Sequence, residues 1–214
     1  MPDRRKLVLV GDSAFAEIAY EYFTHDSAYQ VAGFSVERAH RRKESLFGLP
    51  VVPFEEIEKH FAPQAHDVFA AVTYRDQNRL RARLASAARA KGYGLASYVS
   101  SRAFVWRNVE LGEHCFIFED NTVQPFVRLG NNVVLWSGNH IGHHSRIADH
   151  CFFSSHVVVS GFVEIGESCF LGVNSTIVHN TRVGNGCVVG AGALVLGDVA
   201  DGTTVVGVWK KERT

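Results

Sequence analysis

The chain has 214 residues, enough for one or two domains with a sizeable buried core. Its 22 basic and 22 acidic residues balance at pH 7, so no broad electrostatic field draws the chain to nucleic acid or to an anionic membrane surface. The first apolar run is only about five residues long, too short for a signal peptide or a membrane span. We therefore expect a cytoplasmic protein that binds neither nucleic acid nor membrane.

The first ninety-odd residues alternate short apolar runs with helical segments. Residues 6–10 read as a buried strand that ends at Gly11, and residues 14–23 read as a helix with Asp12 or Ser13 available as its cap. Such alternation predicts a small Rossmann-like βαβαβα unit with a parallel sheet over residues 1–96. The remaining predicted elements are strands at 29–34 and 67–73, a helix around 54–61 that follows 49–53, and a helix at 76–91.

The turn after the first strand is the place where such sheets bind anionic ligands, because free backbone N–H groups and the helix dipole point there. From Gly11 the chain reads Gly-Asp-Ser-Ala-Phe-Ala, with alanines in place of the second and third glycines of a dinucleotide fingerprint. This disfavours a nicotinamide cofactor and favours a looser nucleotide-sugar site. The predicted substrate-binding residues are Gly11, Asp12, Ser13 and Phe15, and the alternative is a docking domain without a ligand.

From Val99 onward an aliphatic or aromatic residue recurs at every sixth position. A sustained period of six matches neither a helix nor an ordinary strand, and it is the hexapeptide signature of a parallel β-helix. It predicts an all-β β-helix domain over residues 97–214. The repeated residues are Val99, Val105, Leu111, Ile117, Val123, Leu129, Leu135, Ile141, Ile147, Phe153, Val159, Ile165, Leu171, Ile177, Val183, Val189 and Val195.

Five of the eleven histidines lie between residues 140 and 156. His144, His150 and His156 share one phase of the repeat, so three hexads per coil would place them on three different walls. His143 has a phase of its own. Three interpretations compete: a general base, since imidazole titrates near neutrality; a metal ion shared between subunits; and solvated turn histidines. For His143 we favour the general base. The four cysteines form no Cys-x-x-Cys pair, and we expect no metal.

Taken together, several motifs resemble one group of enzymes over nearly the whole chain. They are residues 10–16 (VGDSAFA), 139–148 (NHIGHHSRIA), 169–177 (CFLGVNSTI), 189–193 (VGAGA) and 206–211 (VGVWKK). The group comprises the sugar acyltransferases related to sialic-acid O-acetyltransferase and to the bacterial N-acetyltransferases of nucleotide-linked amino sugars. The resemblance implies a left-handed β-helix and a homotrimer with active sites between subunits. It also implies acetyl-CoA lying between β-helices and a nucleotide sugar bound partly to the N-terminal unit.

The resemblance also assigns roles to individual residues. The catalytic histidine of an Ile-x-His hexad is here His143, in Ile141-Gly142-His143. The backbone of Gly161, Val173 and Ala191 would approach the coenzyme, and Lys211 in the C-terminal tail would face its phosphates. The glutamate that commonly follows the catalytic histidine is here His144, and a second family histidine is replaced by Phe152. We therefore expect Asn139 and His144 to support His143, with a backbone carbonyl or a residue across the interface as alternatives.

The implied activity is acetyl transfer from acetyl-CoA to the amino group of a nucleotide-linked deoxysugar, for surface polysaccharide synthesis such as O-antigen or lipopolysaccharide. Three alternatives stay open: sugar O-acetylation on the same scaffold, a histidine–metal enzyme of the carbonic anhydrase type, and an assembly module without chemistry. Six aromatic residues on the coil are expected to be covered by neighbouring subunits or by the N-terminal unit, or, for Trp136, by a stacked sugar. They are Phe116, Phe118, Phe126, Trp136, Phe152 and Phe162.

Overall fold

The computed structural model describes residues 5–210, and they divide into two compact units. The first unit runs from the start of the described residues to Arg75 and continues with Leu80–Tyr98. The second unit contains Asp76–Arg79 and the described chain from Val99 onward. The segment Asp76–Arg79 groups with the second unit because its side chains bond to coil carbonyls there. Asn78 Nδ2 donates to the carbonyl oxygen of Cys169 at 3.3 Å, and Gln77 Nε2 donates to that of Gly186 at 3.3 Å.

The first unit is built on a six-stranded sheet in the order β3-β4-β2-β1-β5-β6. Neighbouring strands are parallel except in the antiparallel β3–β4 hairpin. The strands are β1 (Arg5–Val10), β2 (Tyr29–Val36), β3 (Ser45–Leu46), β4 (Leu49–Pro53), β5 (His66–Ala70) and β6 (Gly94–Leu95). The helices are α1 (Ala14–His25), a 3₁₀ turn (Phe54–Glu56), α2 (Ile57–His60) and α3 (Arg79–Ala90), and none of them is long and apolar enough to cross a membrane.

Two details of this unit differ from the sequence prediction. No helix separates β2 from β4, and a hairpin takes its place, because Phe47 and Gly48 both adopt positive φ (51° and 75°), as a tight two-residue hairpin turn requires. Helix α3 begins only at Arg79, because the three residues before it have φ values of 51°, 47° and 66°, outside the right-handed helical region. The sheet is therefore mixed rather than all-parallel.

The second unit consists of two-residue strands that stack into three walls. The first wall contains β7 (Tyr98–Val99), β10 (Phe116–Ile117), β13 (Val134–Leu135), β16 (Phe152–Phe153), β19 (Phe170–Leu171), β22 (Val188–Val189) and β24 (Thr204–Val205). The second wall contains β8 (Phe104–Val105), β11 (Thr122–Val123), β14 (His140–Ile141), β17 (Val158–Val159), β20 (Thr176–Ile177), β23 (Leu194–Val195) and β25 (Val208–Trp209). The third wall contains β9 (Glu110–Leu111), β12 (Arg128–Leu129), β15 (Arg146–Ile147), β18 (Glu164–Ile165) and β21 (Arg182–Val183).

Pairing across coils has a fixed register. Phe116 pairs in parallel with Val134, and Val134 pairs with Phe152, so one coil takes 18 residues, or three hexads. The period predicted from the sequence is confirmed, and the unit is a left-handed parallel β-helix. Beyond β22 the coil shortens, since Val188 pairs with Thr204, only 16 residues later. The six-residue register therefore ends near the position where the sequence pattern ends.

The interior of the β-helix is an apolar column formed by the repeated residues. Ile117, Leu135, Phe153 and Ile177 are fully buried, because each stacks between its equivalents one coil below and one coil above. The repeated residues of the first coil lack a coil beneath them, and Val99 and Leu111 are each 37% exposed. Hydrophobic stacking along the axis therefore fixes the direction in which the chain winds.

Each corner of the coil is closed by one residue in the left-handed conformation. We call the turn between the first and second walls the first corner, that between the second and third walls the second corner, and that between the third and first walls the third corner. The left-handed residues are Asp120, Gly138, His156, Asn174 and Gly192 at the first corner, Phe126, His144, Phe162 and Asn180 at the second, and His114, Asn132, His150, Ser168 and Gly186 at the third. His144, His150 and His156 thus lie at three different corners.

Candidate active site

His143 lies at the second corner, in the turn between β14 and β15. Its backbone N–H donates to Gln124 Oε1 at 2.9 Å, and its Nδ1 lies 3.1 Å from His144 Nδ1. One proton shared between these two ring nitrogens fixes the tautomer of each ring. Among residues 5–210, Nε2 of His143 has no hydrogen-bond partner. The half-buried imidazole therefore presents one uncommitted nitrogen, which suits a proton acceptor.

Gly161 provides the surface against which the His143 ring lies. A Cβ built on Gly161 would lie 2.7 Å from His143 Cε1 and 2.8 Å from Nε2, closer than side-chain carbons pack. The φ angle of Gly161 is not in the left-handed region, so the backbone does not itself require glycine here. The N–H of Gly161 has no acceptor in the described part of the chain. A glycine is needed at this position because the imidazole occupies the space of its side chain.

His144 stacks between two phenylalanine rings from the coils below and above. Its ring centroid lies 4.6 Å from Phe126, at an interplanar angle of 26°, and 4.7 Å from Phe162, at 10°. Phe162 also meets the edge of His143 at 5.1 Å. The sequence reading did not connect these two phenylalanines to the site, although both lie one 18-residue coil away from His144. That spacing is the signal that identifies them.

Asn139 does not support His143, and this part of the sequence prediction is corrected. It lies at the first corner, where its buried side chain serves the coil backbone: Nδ2 donates to the carbonyl oxygen of Trp136, and Oδ1 accepts from the N–H of Val157 at 2.8 Å. Asn121, one coil below, forms the previous rung, with Oδ1 accepting from the N–H of Asn139 at 3.2 Å. These bonds occupy the polar atoms of Asn139 at a different corner from His143.

We expect Asn139→Ala to destabilise the fold without impairing catalysis by the folded protein. The substitution leaves the buried Val157 N–H and Trp136 carbonyl without their partner, which costs about 1–3 kcal/mol of unfolding free energy. Chemical denaturation measures this cost, and kcat is then determined per folded molecule. Asn121→Ala is the matched control with the same expected result. A loss of kcat in Asn139→Ala alone would show that Asn139 does act on His143.

The predicted coenzyme residues lie at two different corners. Gly161 is at the second corner beside His143, whereas Val173 and Ala191 are exposed at the first corner, where the N–H of Gly192 donates to the carbonyl oxygen of Val173 at 2.8 Å. Lys211 lies outside the described residues. Within one β-helix these positions do not form a single site.

In the first unit, the predicted nucleotide-sugar residues follow β1. Gly11 has a φ of 134°, and a Cβ there would lie 2.7 Å from the carbonyl oxygen of Ala71, so the turn requires glycine. Ser13 is the N-cap of α1, although its side chain makes no capping bond. The backbone oxygen of Asp12 accepts from Lys43 Nζ at 3.1 Å. Phe15 is only 2% exposed and packs edge-on against Phe69, so its side chain belongs to the core and is unavailable to substrate, which corrects that prediction.

Glu37, just after β2, lies near the same edge of the sheet and is fully engaged. Both of its carboxylate oxygens accept hydrogen bonds from Arg83, at 2.9 Å each. These hydrogen bonds lower the pKa of the Glu37 carboxyl below its ordinary value. Glu37 is therefore a fixed ion-pair partner of Arg83 at neutral pH.

The aromatic residues of the coil fall into two groups. Phe116, Phe118 and Phe152 are buried, and Trp136 stacks on Phe118 at 4.3 Å. Phe126 and Phe162 are 56% and 47% exposed, on either side of His144. A ring that already stacks on Phe118 leaves less of Trp136 for a sugar, whereas the second corner keeps exposed aromatic surface.

Two further features bound the site. A groove of about 590 Å³ runs along the outer face of the third wall, lined by the charged side chains of Glu110, Arg128, Arg146, Glu164 and Arg182, and His143 and Gly161 are not part of its lining. Within residues 5–210, no group of three or more His, Cys, Asp or Glu side chains is arranged to hold a metal ion.

Comparison with known proteins identifies the repeat. Residues 126–161 and 162–197 match the bacterial transferase hexapeptide family, described as six repeats. The β-helix of this chain is made of bacterial transferase hexapeptide repeats. No curated protein matches the chain in sequence.

Solved structures resemble the chain over both units. The acetyltransferase domain of PglB from Neisseria gonorrhoeae is 25% identical, with a TM-score of 0.83, and the match covers 94% of this chain and 95% of that one. PerB from Caulobacter crescentus, solved with CoA and GDP-perosamine, is 23% identical with a TM-score of 0.83, covering 94% and 97%. WeeI from Acinetobacter baumannii is 22% identical with a TM-score of 0.76, covering 94% and 96%.

These findings confirm the family resemblance seen in the sequence. The hexapeptide repeats and the acetyltransferase structures are consistent with a hexapeptide-repeat sugar acetyltransferase, and they support an acyltransferase. PerB and WeeI, at 23% and 22% identity, speak for the fold alone.

Proposed function

We propose that the chain is an acetyl-CoA-dependent N-acetyltransferase that acts on a nucleotide-linked amino sugar, with His143 as general base. The observation that carries the proposal is the state of His143: its Nδ1 is engaged by His144, while its Nε2 is uncommitted at an open corner against Gly161. The complex of PerB with CoA and GDP-perosamine supports this substrate class for a chain of the same fold.

In the proposed reaction, the neutral sugar amine attacks the thioester carbonyl carbon. As the new C–N bond forms, His143 Nε2 accepts a proton from the amine nitrogen. The C–S bond then breaks, its electron pair goes to sulfur, and the proton passes from Nε2 to the thiolate. The products are the N-acetyl sugar and free CoA thiol, so atoms and charge balance. The uncommitted N–H of Gly161 is placed to donate to the thioester oxygen as negative charge develops there.

The coenzyme residues are best explained by a homotrimer. Gly161 at the second corner and Val173 and Ala191 at the first corner flank the second wall of one β-helix. One coenzyme can contact both sets if the second corner of one copy faces the first corner of the next. The outer face of the second wall favours such packing, because Phe104, Val158 and Val208 are 53%, 40% and 60% exposed there. Lys211 keeps its proposed role toward the coenzyme phosphates.

The nucleotide part of the substrate is assigned to the turn after β1. This turn lies at the carboxyl end of the sheet, where β2 and β5 diverge on either side of β1, and such a switch point is the usual ligand crevice of an open parallel sheet. Gly11, Asp12 and Ser13 would contribute the start of α1, and Phe15 would contribute only its backbone. The predicted place in surface polysaccharide synthesis depends on which sugar is accepted.

The test is a screen of acceptors with the full-length protein. Acetyl-CoA is supplied with a panel of nucleotide-linked amino sugars and with their hydroxyl counterparts, thiol release is followed, and the product is identified by mass spectrometry. We expect one amino sugar to gain an acetyl group on nitrogen, and we expect trimers in sedimentation analysis. Acetylation of oxygen would favour the O-acetyltransferase alternative. Failure to bind any CoA species would favour an assembly module, and metal bound in stoichiometric amount would favour the carbonic anhydrase type.

A further inference from the structure

His144 occupies the position at which the resembling family commonly carries a glutamate. A carboxylate there would orient the catalytic imidazole and also attract the positive charge that the imidazole acquires. In this chain no carboxylate among residues 5–210 contacts either His143 or His144. The titratable group in contact with His144 is His143, and His179 reaches only the far side of Phe162, at 5.5 Å. The partner of the base is therefore a neutral ring.

The backbone at this corner is held in an unfavourable conformation. Phe126 and Phe162 have φ values of 65° and 57°, in a region that bulky side chains rarely adopt. At the first and third corners the same positions carry Asp, Asn, Ser, Gly or His. Strain of this kind persists where the surrounding structure overrides it, and here it places two aromatic faces against His144.

We propose that His144 is a positioning residue that replaces the carboxylate by sharing a proton with His143. In the resting state His143 Nδ1–H donates to His144 Nδ1, which leaves Nε2 of His143 free to act. When Nε2 takes the proton of the amine, the Nδ1 proton can lie nearer to either ring. The positive charge then extends onto His144, between two phenylalanine faces that attract a cation. No net proton leaves the pair once Nε2 protonates the thiolate.

This inference rests on the proposed function, and it predicts a distinctive response to pH. A neutral partner favours the protonated imidazole less than an anion does, so the pair with His144 should stay active to lower pH than a pair with glutamate. In His144→Glu we expect kcat within a few-fold of wild type, with the acid limb of kcat moved upward by about one pH unit. In His144→Asn, which suits the left-handed backbone, we expect kcat about tenfold lower, because the tautomer of His143 is no longer fixed.

The experiment compares pH profiles of kcat with one acceptor at saturation, so that the ionisation of the acceptor cancels between variants. His150→Glu is the matched control: it places glutamate at an equivalent left-handed corner position, where His150 bonds to Asn132 and not to His143. Its acid limb should coincide with that of wild type.

The inference is overturned if His144→Asn retains wild-type kcat and the acid limb of His144→Glu does not move while His143→Ala is inactive. The proposed function, in contrast, fails if His143→Ala itself keeps its activity.

Discussion

The His143→Ala enzyme should lose about 10²–10⁴-fold in kcat with its native acceptor, the range that a positioned general base contributes. The structure explains why no neighbour can substitute for this residue. His144 points its Nδ1 at His143, and its ring is fixed between Phe126 and Phe162. The affinity for acetyl-CoA should change little, because in the proposed site the coenzyme is held mainly by backbone groups of the coil.

Steady-state kinetics together with direct measurement of CoA binding test this prediction. His25→Ala is a suitable control, because His25 lies on the surface of α1, where its side chain is 69% exposed. The control should match wild type. Retention of kcat within a few-fold in His143→Ala would contradict the assignment of the base.

Replacement of Gly161 by alanine should lower kcat by about 10²-fold while the β-helix remains folded, since displacements near 1 Å at a catalytic group have effects of this size. The added methyl group would lie 2.7 Å from Cε1 and 2.8 Å from Nε2 of His143. The imidazole must move away from the corner to relieve this contact. The backbone of residue 161 accepts alanine without strain, so thermal unfolding should be close to that of wild type.

A double-mutant cycle separates this mechanism from a general disturbance of the coil. In the His143→Ala background, the Gly161→Ala change should have little further effect on kcat, because the ring it displaces is already absent. Additive losses in the double variant would show that Gly161 acts mainly through the thioester oxygen or the coenzyme, independently of the ring of His143.

The sequence predicted the main architecture well where the pattern was local and repeated. The six-residue recurrence from Val99 to Val195 reports one inward side chain per strand, and the 18-residue register confirms three such strands per coil. The same frame places His144, His150 and His156 at separate corners. It gave less information about the first unit, where the β3–β4 hairpin depends on the positive φ of Phe47.

The candidate site was predicted only in part. His143 stood out by its phase and by its Ile-x-His hexad, but the role given to Asn139 was wrong. An asparagine near a histidine in sequence can reach toward it or toward the buried backbone of its own corner, and the second choice satisfies polar groups that no water can reach. Phe15 was misjudged for a similar reason, because its proximity to Gly11 in sequence does not reveal that its side chain packs on Phe69.

The sequence by itself determined that this chain winds into a β-helix, because that fold requires only that an apolar side chain return to the axis every six residues. Tertiary structure alone decided what meets His143: Gly161 beneath its ring, His144 at its Nδ1, and the phenylalanines on either side of His144. These neighbours are a full coil apart in the chain, and their contacts depend on corner geometry and on competition for hydrogen bonds. Neither is encoded in a local pattern, so only the folded chain could show which nitrogen of His143 remains free.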